Sequence, residues 1–278
     1  MFLVAGATGN VGRHVVRELL ALGVSVRALV RDPATAELPD GVQVFRGDLS
    51  RPETLPAALA GVRGVFLFAV PGSGPDFVRA AEQAGVGRVV LLSSDAVLDG
   101  AAEQPNPIAG YHAEIERALR DSPLAWTFLR SAHMATNALP WAGQTKAGDV
   151  VRGPYAGATS APVHEADLGA VAAVALTEEG HTGQVYTLSG PASLTAAEQV
   201  ALIGAAIDRP LRYDELAPEV AREQMSAFIP PFIIGTLFEG WAKSVGVPAA
   251  VHPDVEKLTG RPARGFAEWA ADHAADFS

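Results

Sequence analysis

Short apolar runs alternate with stretches of helical period through the first half of the chain. Phe2-Leu3-Val4-Ala5 runs straight into Gly6-Ala7-Thr8-Gly9-Asn10-Val11-Gly12, after which Val15, Val16, Leu19 and Leu20 recur at helical spacing. Further strand patterns cover Val24 to Val30, Val42 to Phe45, Val65 to Phe68, Arg88 to Leu92 and Trp126 to Leu129. Between them Pro52 to Leu59, Asp76 to Ala84 and Ala109 to Leu119 have helical composition. This alternation predicts right-handed strand-helix-strand units and a parallel sheet.

The spacing loosens after Arg130. Glycine and proline punctuate residues 140 to 162, a helix is predicted over Asp167 to Leu176 and a strand over Val185 to Leu188. Thr195 to Ile207 reads as a helix, with Thr195 as cap and Glu198 at the capping-box position, and Arg212 to Asp214 as a short strand. The expected fold is therefore α/β, a Rossmann-type doubly wound parallel sheet with a small, discontinuous α+β C-terminal substrate lobe. Residues 1–130 form the nucleotide-binding core and 131–278 mainly the lobe, with segments around 160–190 returning to the core.

Composition narrows the function. At 278 residues and 49% apolar, the chain can bury a sizeable core. A net charge of −10 opposes binding to a nucleic-acid backbone. The absence of cysteine removes disulfides, thiolate nucleophiles and cysteine-based metal sites. No signal-like leader is evident, and no apolar run reaches transmembrane length; Phe228 to Phe238 is short and broken by Pro230 and Pro231. The expectation is a cytoplasmic protein, monomeric or homodimeric, with no membrane or direct nucleic-acid partner.

The glycine run carries the chemistry. A strand, a glycine turn and a helix in that order bring backbone N–H groups and the positive end of a helix dipole to a phosphate. No Gly-Lys-Ser or Gly-Lys-Thr follows, which disfavours a phosphoryl-transfer loop. Gly6, Thr8, Gly9, Asn10, Val11 and Gly12 are the candidate dinucleotide cradle, with Arg13 adding positive potential from the first helical turn. Arg31 ends the second strand and suits a 2′-phosphate. The adjacent Asp32 suits a free ribose, but it also stands before Pro33 as a helix cap. NADP(H) is preferred on this ground, and NAD(H) stays open. Asp48 and Leu49 follow the third strand, where Asp48 could meet an adenine amino group or cap the next segment. Ala69, Val70 and Pro71, after the fourth strand, would shape the nicotinamide side.

Taken together, these residues resemble the NmrA-like branch of the atypical short-chain dehydrogenases/reductases. The resemblance rests on Gly6 to Gly12, Leu29 to Pro33, Gly47 to Leu49, Leu92 to Ser94, Tyr111 to Glu116, Trp126 to Arg130 with Asn137, Asp254 to Pro262 and Phe266 to Trp269. It implies an NAD(P)-binding Rossmann domain under a small C-terminal lobe. Some members of that family are NAD(P)H-dependent reductases, including quinone oxidoreductase-like proteins; others sense the cofactor and regulate a protein partner.

The catalytic signal is thinner. Short-chain dehydrogenases of the ordinary type use Tyr-x-x-x-Lys, and here Tyr111 is followed four residues later by Ile115. Tyr111 can donate a hydrogen bond to a substrate oxygen or simply pack. His112 and Glu116 share helical spacing and could pair. Ser94, ending the fifth strand, could orient a carbonyl or the nicotinamide, or cap a turn. His133, after the sixth strand, is a candidate proton donor, with Met134 and Trp141 as apolar lining and Phe228, Phe232 and Trp241 as a roof. His164 and Asp167 lack a third ligand, so no metal is expected. The expected function is NADPH-dependent reduction of a small carbonyl or quinone-like substrate by hydride transfer. The alternative is a non-catalytic NADP(H)-sensing regulator that binds a protein.

Overall fold

The computed structural model describes residues 1–278. The apolar runs become six parallel strands: β1 (Phe2–Ala5), β2 (Val26–Val30), β3 (Gln43–Arg46), β4 (Gly64–Phe68), β5 (Arg88–Ser94) and β6 (Ala125–Ser131). Helices α1 (Gly12–Ala21), α2 (Pro56–Leu59), α3 (Gly74–Gln83) and α4 (Pro107–Arg120) lie in the crossovers. The strands pair in the order β3-β2-β1-β4-β5-β6, and a seventh parallel strand, Gln184–Leu188, lies beside β6. The chain switches direction across the sheet between β1 and β4, and the carboxyl ends beside that switch are where ligands of such sheets bind.

One face of this sheet is closed by α3 and α4. Leu3, Leu29, Val65, Leu67, Val89, Leu91 and Phe128 form a single buried cluster with Phe77 and Ala81 of α3 and Ile115 and Leu119 of α4. On the other face α1 packs against the helix Glu165–Thr177. Ten of that helix's thirteen residues are buried, so it is apolar nearly all round where a surface helix would be amphipathic.

The chain forms two compact units. The first comprises Met1–Ser131, Glu165–Leu188 and Asp254–Arg261, and the second Ala132–His164, Ser189–Pro253 and Pro262–Ser278. In the second, Arg212–Glu215 pairs in parallel with Val150–Gly153, and Leu194–Thr195 pairs antiparallel with Thr159–Ser160. Its main core gathers Val151, Val200, Ile203, Phe266, Trp269 and Phe277. A separate cluster of Ala221, Ile234 and Phe238 holds the helices Pro218–Met225 and Pro231–Ser244. Thr195 and Glu198 form the expected capping box at the start of the helix Ala196–Ala206. The observed architecture is the predicted one, a Rossmann-type parallel sheet with a small, discontinuous α+β C-terminal lobe.

Several boundaries differ from the expectation. β5 and β6 run past their apolar residues to Ser94 and Ser131, because their backbone ladder goes on to pair Ser93 with Arg130 and Ser94 with Ser131 whatever the polarity of the side chains. The helix predicted over Pro52 to Leu59 is instead a 3-10 turn, Pro52–Thr54, followed by α2. Pro56 lacks an N–H to continue a helix, so a new one starts there.

Candidate active site

The glycine run leaves β1 at the carboxyl edge of the sheet. Gly6 has φ +65°, and its amide plane is turned so that its carbonyl accepts from Gly9 N at 2.9 Å. Gly12 lies against the same carbonyl: a Cβ there would fall 2.1 Å from Gly6 O. The first turn of α1 can therefore sit on the loop only without a side chain at residue 12. Val11 supplies no side-chain cap, and no acidic residue occupies the first turn. Arg13 N and His14 N donate to Gly9 O and Val11 O, so what such a helix start offers an anion is its positive dipole end. Thr8, Gly9 and Asn10 are exposed, while Ala7 and Val11 are buried beneath them.

Arg13 does more than add charge. Its Nη2 donates to Thr8 O at 3.0 Å and its Nε lies 3.3 Å from Gly9 O, so the guanidinium braces the loop from outside. Phe68, at the end of β4, sets its ring against Gly6, 2.8 Å from where a Cβ would stand. Ala69 and Val70 are half-buried beyond it, and Pro71 is exposed.

The polar residues after β2 and β3 have distinct duties. Asp32 caps the turn Pro33–Thr35 by accepting from Ala34 N at 3.0 Å, the role expected of an aspartate before Pro33. Arg31 is exposed beside it. Asp48 Oδ1 accepts from Ser50 N at 2.9 Å and Ser50 Oγ at 2.7 Å. Those bonds hold the carboxyl below the usual aspartate range, with Arg31 and Arg51 adding attraction. Leu49 is 4% exposed and packs into the main core, leaving only its backbone for a ligand.

Ser94 and Tyr111 belong to the same unit, on consecutive elements. The Ser94 hydroxyl accepts from Ala96 N at 3.2 Å, which leaves its own hydrogen to donate elsewhere. Tyr111 is half-buried, and burial pushes its phenol up. The His112 ring lies against it at a tilt of 31°, with ring centroids 4.2 Å apart, and places Nδ1 2.8 Å from Ile108 O, so Nδ1 carries the hydrogen. Burial lowers the imidazole below its ordinary value, against the pull of the Ile108 carbonyl and Glu116. The pairing of His112 with Glu116 that helical spacing allows does not form. Glu116 is committed elsewhere: it takes Arg130 Nε at 3.0 Å and Nη2 at 2.7 Å, and Ser93 Oγ at 2.6 Å.

His133 lies in the second unit, where its carbonyl accepts from Val163 N at 2.8 Å. Met134 bridges Val163 in the same stretch. Phe228 and Phe232 are 88% and 57% exposed, and Trp241 packs on Phe238. No group of three or more His, Asp or Glu side chains converges to hold a metal ion, and no helix is long and apolar enough to cross a membrane.

Sequence reading missed the network around Arg130. This guanidinium is 7% exposed and binds Asp99 as well as Glu116, through Nη1–Oδ2 at 3.0 Å and Nη2–Oδ1 at 2.7 Å. Burial works against its charge, but the bonds to Glu116 and Asp99 outweigh that and hold it protonated more firmly than a free arginine. Two signals existed: Arg130 falls at an inward register beside Ser93, and Glu116 falls on the apolar stripe of α4 with Ala109, Ala113 and Leu119. A buried acid and a buried base on adjacent elements require each other.

Comparison with known proteins agrees with this geometry. Residues 6–179 match the model of the NAD(P)H-binding family. The chain belongs to that family. This NAD(P)H-binding reductase is 41% identical to the (4-alkanoyl-5-oxo-2,5-dihydrofuran-3-yl)methyl phosphate reductase of Streptomyces griseus, over all of this chain and 99% of the relative. It is 36% identical to the NAD(P)H azoreductase of Xenophilus azovorans, again over all of this chain and 99% of the relative. An Escherichia coli NADPH-dependent quinone oxidoreductase, solved with NADPH bound, superposes with a TM-score of 0.80 at 26% identity, over 98% of this chain and 99% of that one. The expected NmrA-like kinship and an NAD(P)H-dependent oxidoreductase activity follow. The residues present fit the cofactor: a helix start with no side-chain cap, a side-chain-free seat at Gly12 and an exposed loop at Thr8 to Asn10 suit a pyrophosphate.

Proposed function

We propose that this reductase is NADPH-dependent and passes its reducing equivalents to a small, electron-poor conjugated π system, such as a quinone, an azo compound or an unsaturated lactone ketone. The observation that carries this reading is the pairing of Tyr111 with Ile115. A tyrosine that takes a proton from an alcohol needs a nearby cation to lower its pKa, and Ile115 is a 1% exposed core residue in that position. Burial raises the Tyr111 phenol further. Tyr111 is thus equipped to donate a hydrogen bond and not to act as a base.

Ser94, with its hydrogen available, is the second proposed donor. Two such donors suffice where added charge spreads over several conjugated atoms and water can finish the protonation. When bound, NADPH supplies the hydride. The chain orients the acceptor through Ser94 and Tyr111 and holds the pyrophosphate through residues 6 to 12, with Ala69 to Pro71 shaping the nicotinamide side and Asp48 facing the adenine. Exposed Arg31, beside an Asp32 already used as a cap, supports NADPH over NADH. The furanone, azo and quinone chemistry in the names of the three relatives points to the same class of acceptor.

The test is NADPH oxidation with 1,4-benzoquinone, methyl red and an acyl butenolide, set against cyclohexanone, and NADP reduction with cyclohexanol. Turnover confined to the conjugated acceptors is expected. Equal or faster turnover of cyclohexanone or cyclohexanol overturns the reading.

A further inference from the structure

The loop between β5 and α4 joins the two proposed donors, Ser94 and Tyr111. It is braced internally: Leu98 N donates to Gln104 Oε1 and Gln104 Nε2 to Leu98 O, both at 2.9 Å. Asn106 caps α4 through Ala109 N at 2.9 Å. Its side-chain tie to the rest of the unit is Asp99, gripped by both terminal nitrogens of Arg130 and by Arg120 Nη2 at 3.0 Å. The same guanidinium holds Glu116, five residues after Tyr111 on α4, and Glu116 in turn holds Ser93, next to Ser94. One planar fork at the end of β6 therefore fixes the end of β5, the loop and the helix together.

The two halves of this clamp differ. The Glu116 side chain is 3% exposed, so that half cannot open without unpairing a buried charge. The Asp99 side chain is 62% exposed, so that half can be removed while the core stays closed. We propose that Arg130 and Asp99 are positioning residues of the reductase, setting the placement of Ser94 and Tyr111 relative to each other. The inference rests on the assignment of those two hydroxyls to the acceptor side under the proposed function.

The test measures kcat and KM for 1,4-benzoquinone and for methyl red in the parent chain, Asp99→Ala, Asp99→Glu, Ser94→Ala, Tyr111→Phe, and Asp99→Ala in the Ser94→Ala/Tyr111→Phe background. NADPH Kd, Tm and amide hydrogen exchange over residues 95 to 106 are read alongside. Asp99→Ala should lower kcat roughly tenfold, as small misplacements of reacting groups do. It should leave NADPH Kd at the parent value, lower Tm only slightly, and speed exchange in the loop. Asp99→Glu should recover part of the loss, and Asp99→Ala should cost nothing more once both hydroxyls are gone. Parent-like kcat in Asp99→Ala, or an undiminished penalty in the double-hydroxyl background, overturns the positioning role alone. Parent-like kcat in both Ser94→Ala and Tyr111→Phe, or no NADPH oxidation with either probe, overturns the site assignment and the positioning role with it.

Discussion

Gly12 sits against the carbonyl of Gly6 so closely that a methyl group on it would fall 2.1 Å from the oxygen. Backbone, not a flexible side chain, is the obstacle, so the loop itself has to move. Overpacking of this kind costs about 1–3 kcal/mol. Gly12→Ala is therefore expected to lower Tm and to weaken NADPH binding by roughly tenfold or more, since about 1.4 kcal/mol is a factor of ten. Calorimetric titration of NADPH into the folded variant checks it; parent-like affinity would show that the loop carries no phosphate.

Arg31 and Asp32 stand side by side after β2, and only Asp32 has a local partner. Asp32 spends its carboxylate on Ala34 N, whereas Arg31 stands exposed at the end of β2. A charge-assisted hydrogen bond contributes about 1.5–3 kcal/mol. Arg31→Ala should therefore raise the Kd for NADPH roughly tenfold or more and leave that for NADH unchanged. A parallel loss for both cofactors would move the 2′-phosphate contact to another residue.

Glu116 is the hub of a buried charge network and makes a stability prediction of its own. Replacing it with alanine strands Arg130 with one partner, Asp99, and frees Ser93. Removing one member of a buried pair costs about 3–5 kcal/mol. Urea denaturation of Glu116→Ala should show a loss of that order, against about 1 kcal/mol for Ser93→Ala, which removes a single hydrogen bond. Similar losses for the two variants would mean that Arg130 finds other partners.

The strands, the glycine turn and the Asp32 cap were legible because each depends on neighbours in sequence. Apolar runs fall where strands pass through the core, and an aspartate before Pro33 has a local amide to accept from. The Arg130 clamp was not legible from spacing along one helix. That spacing pairs Glu116 with His112, but the sheet register places Arg130 beside Ser93 on the face that α4 covers. An arginine presented to a buried glutamate from another element outcompetes a neutral imidazole four residues away. Ser94 and Tyr111 could be named, yet their fixed connection through Asp99 depends on the fold of the intervening loop.

The buried imidazole of His112 makes the last prediction, one of pH. Burial lowers its folded value below the ordinary 6.5, so the unfolded chain binds the proton more readily. Stability then falls as pH drops through 6.5 towards the lower folded value, and stops changing from this source below that. Asp99 acts in a lower window: its hydrogen bonds to Arg130 hold its carboxyl below 3.8, so its stabilisation is complete above 3.8 and fades as pH falls through the lower folded value. Urea midpoints should thus decline in two stages on acidification. His112→Gln, whose amide nitrogen can still donate to the Ile108 carbonyl, should flatten the upper stage and leave the lower one; Asp99→Asn should leave the upper stage and shrink the lower one, to which Asp48 also contributes. If His112→Gln leaves the midpoint between about pH 7 and about pH 5 as steep as in the parent chain, another group binds the proton in that range.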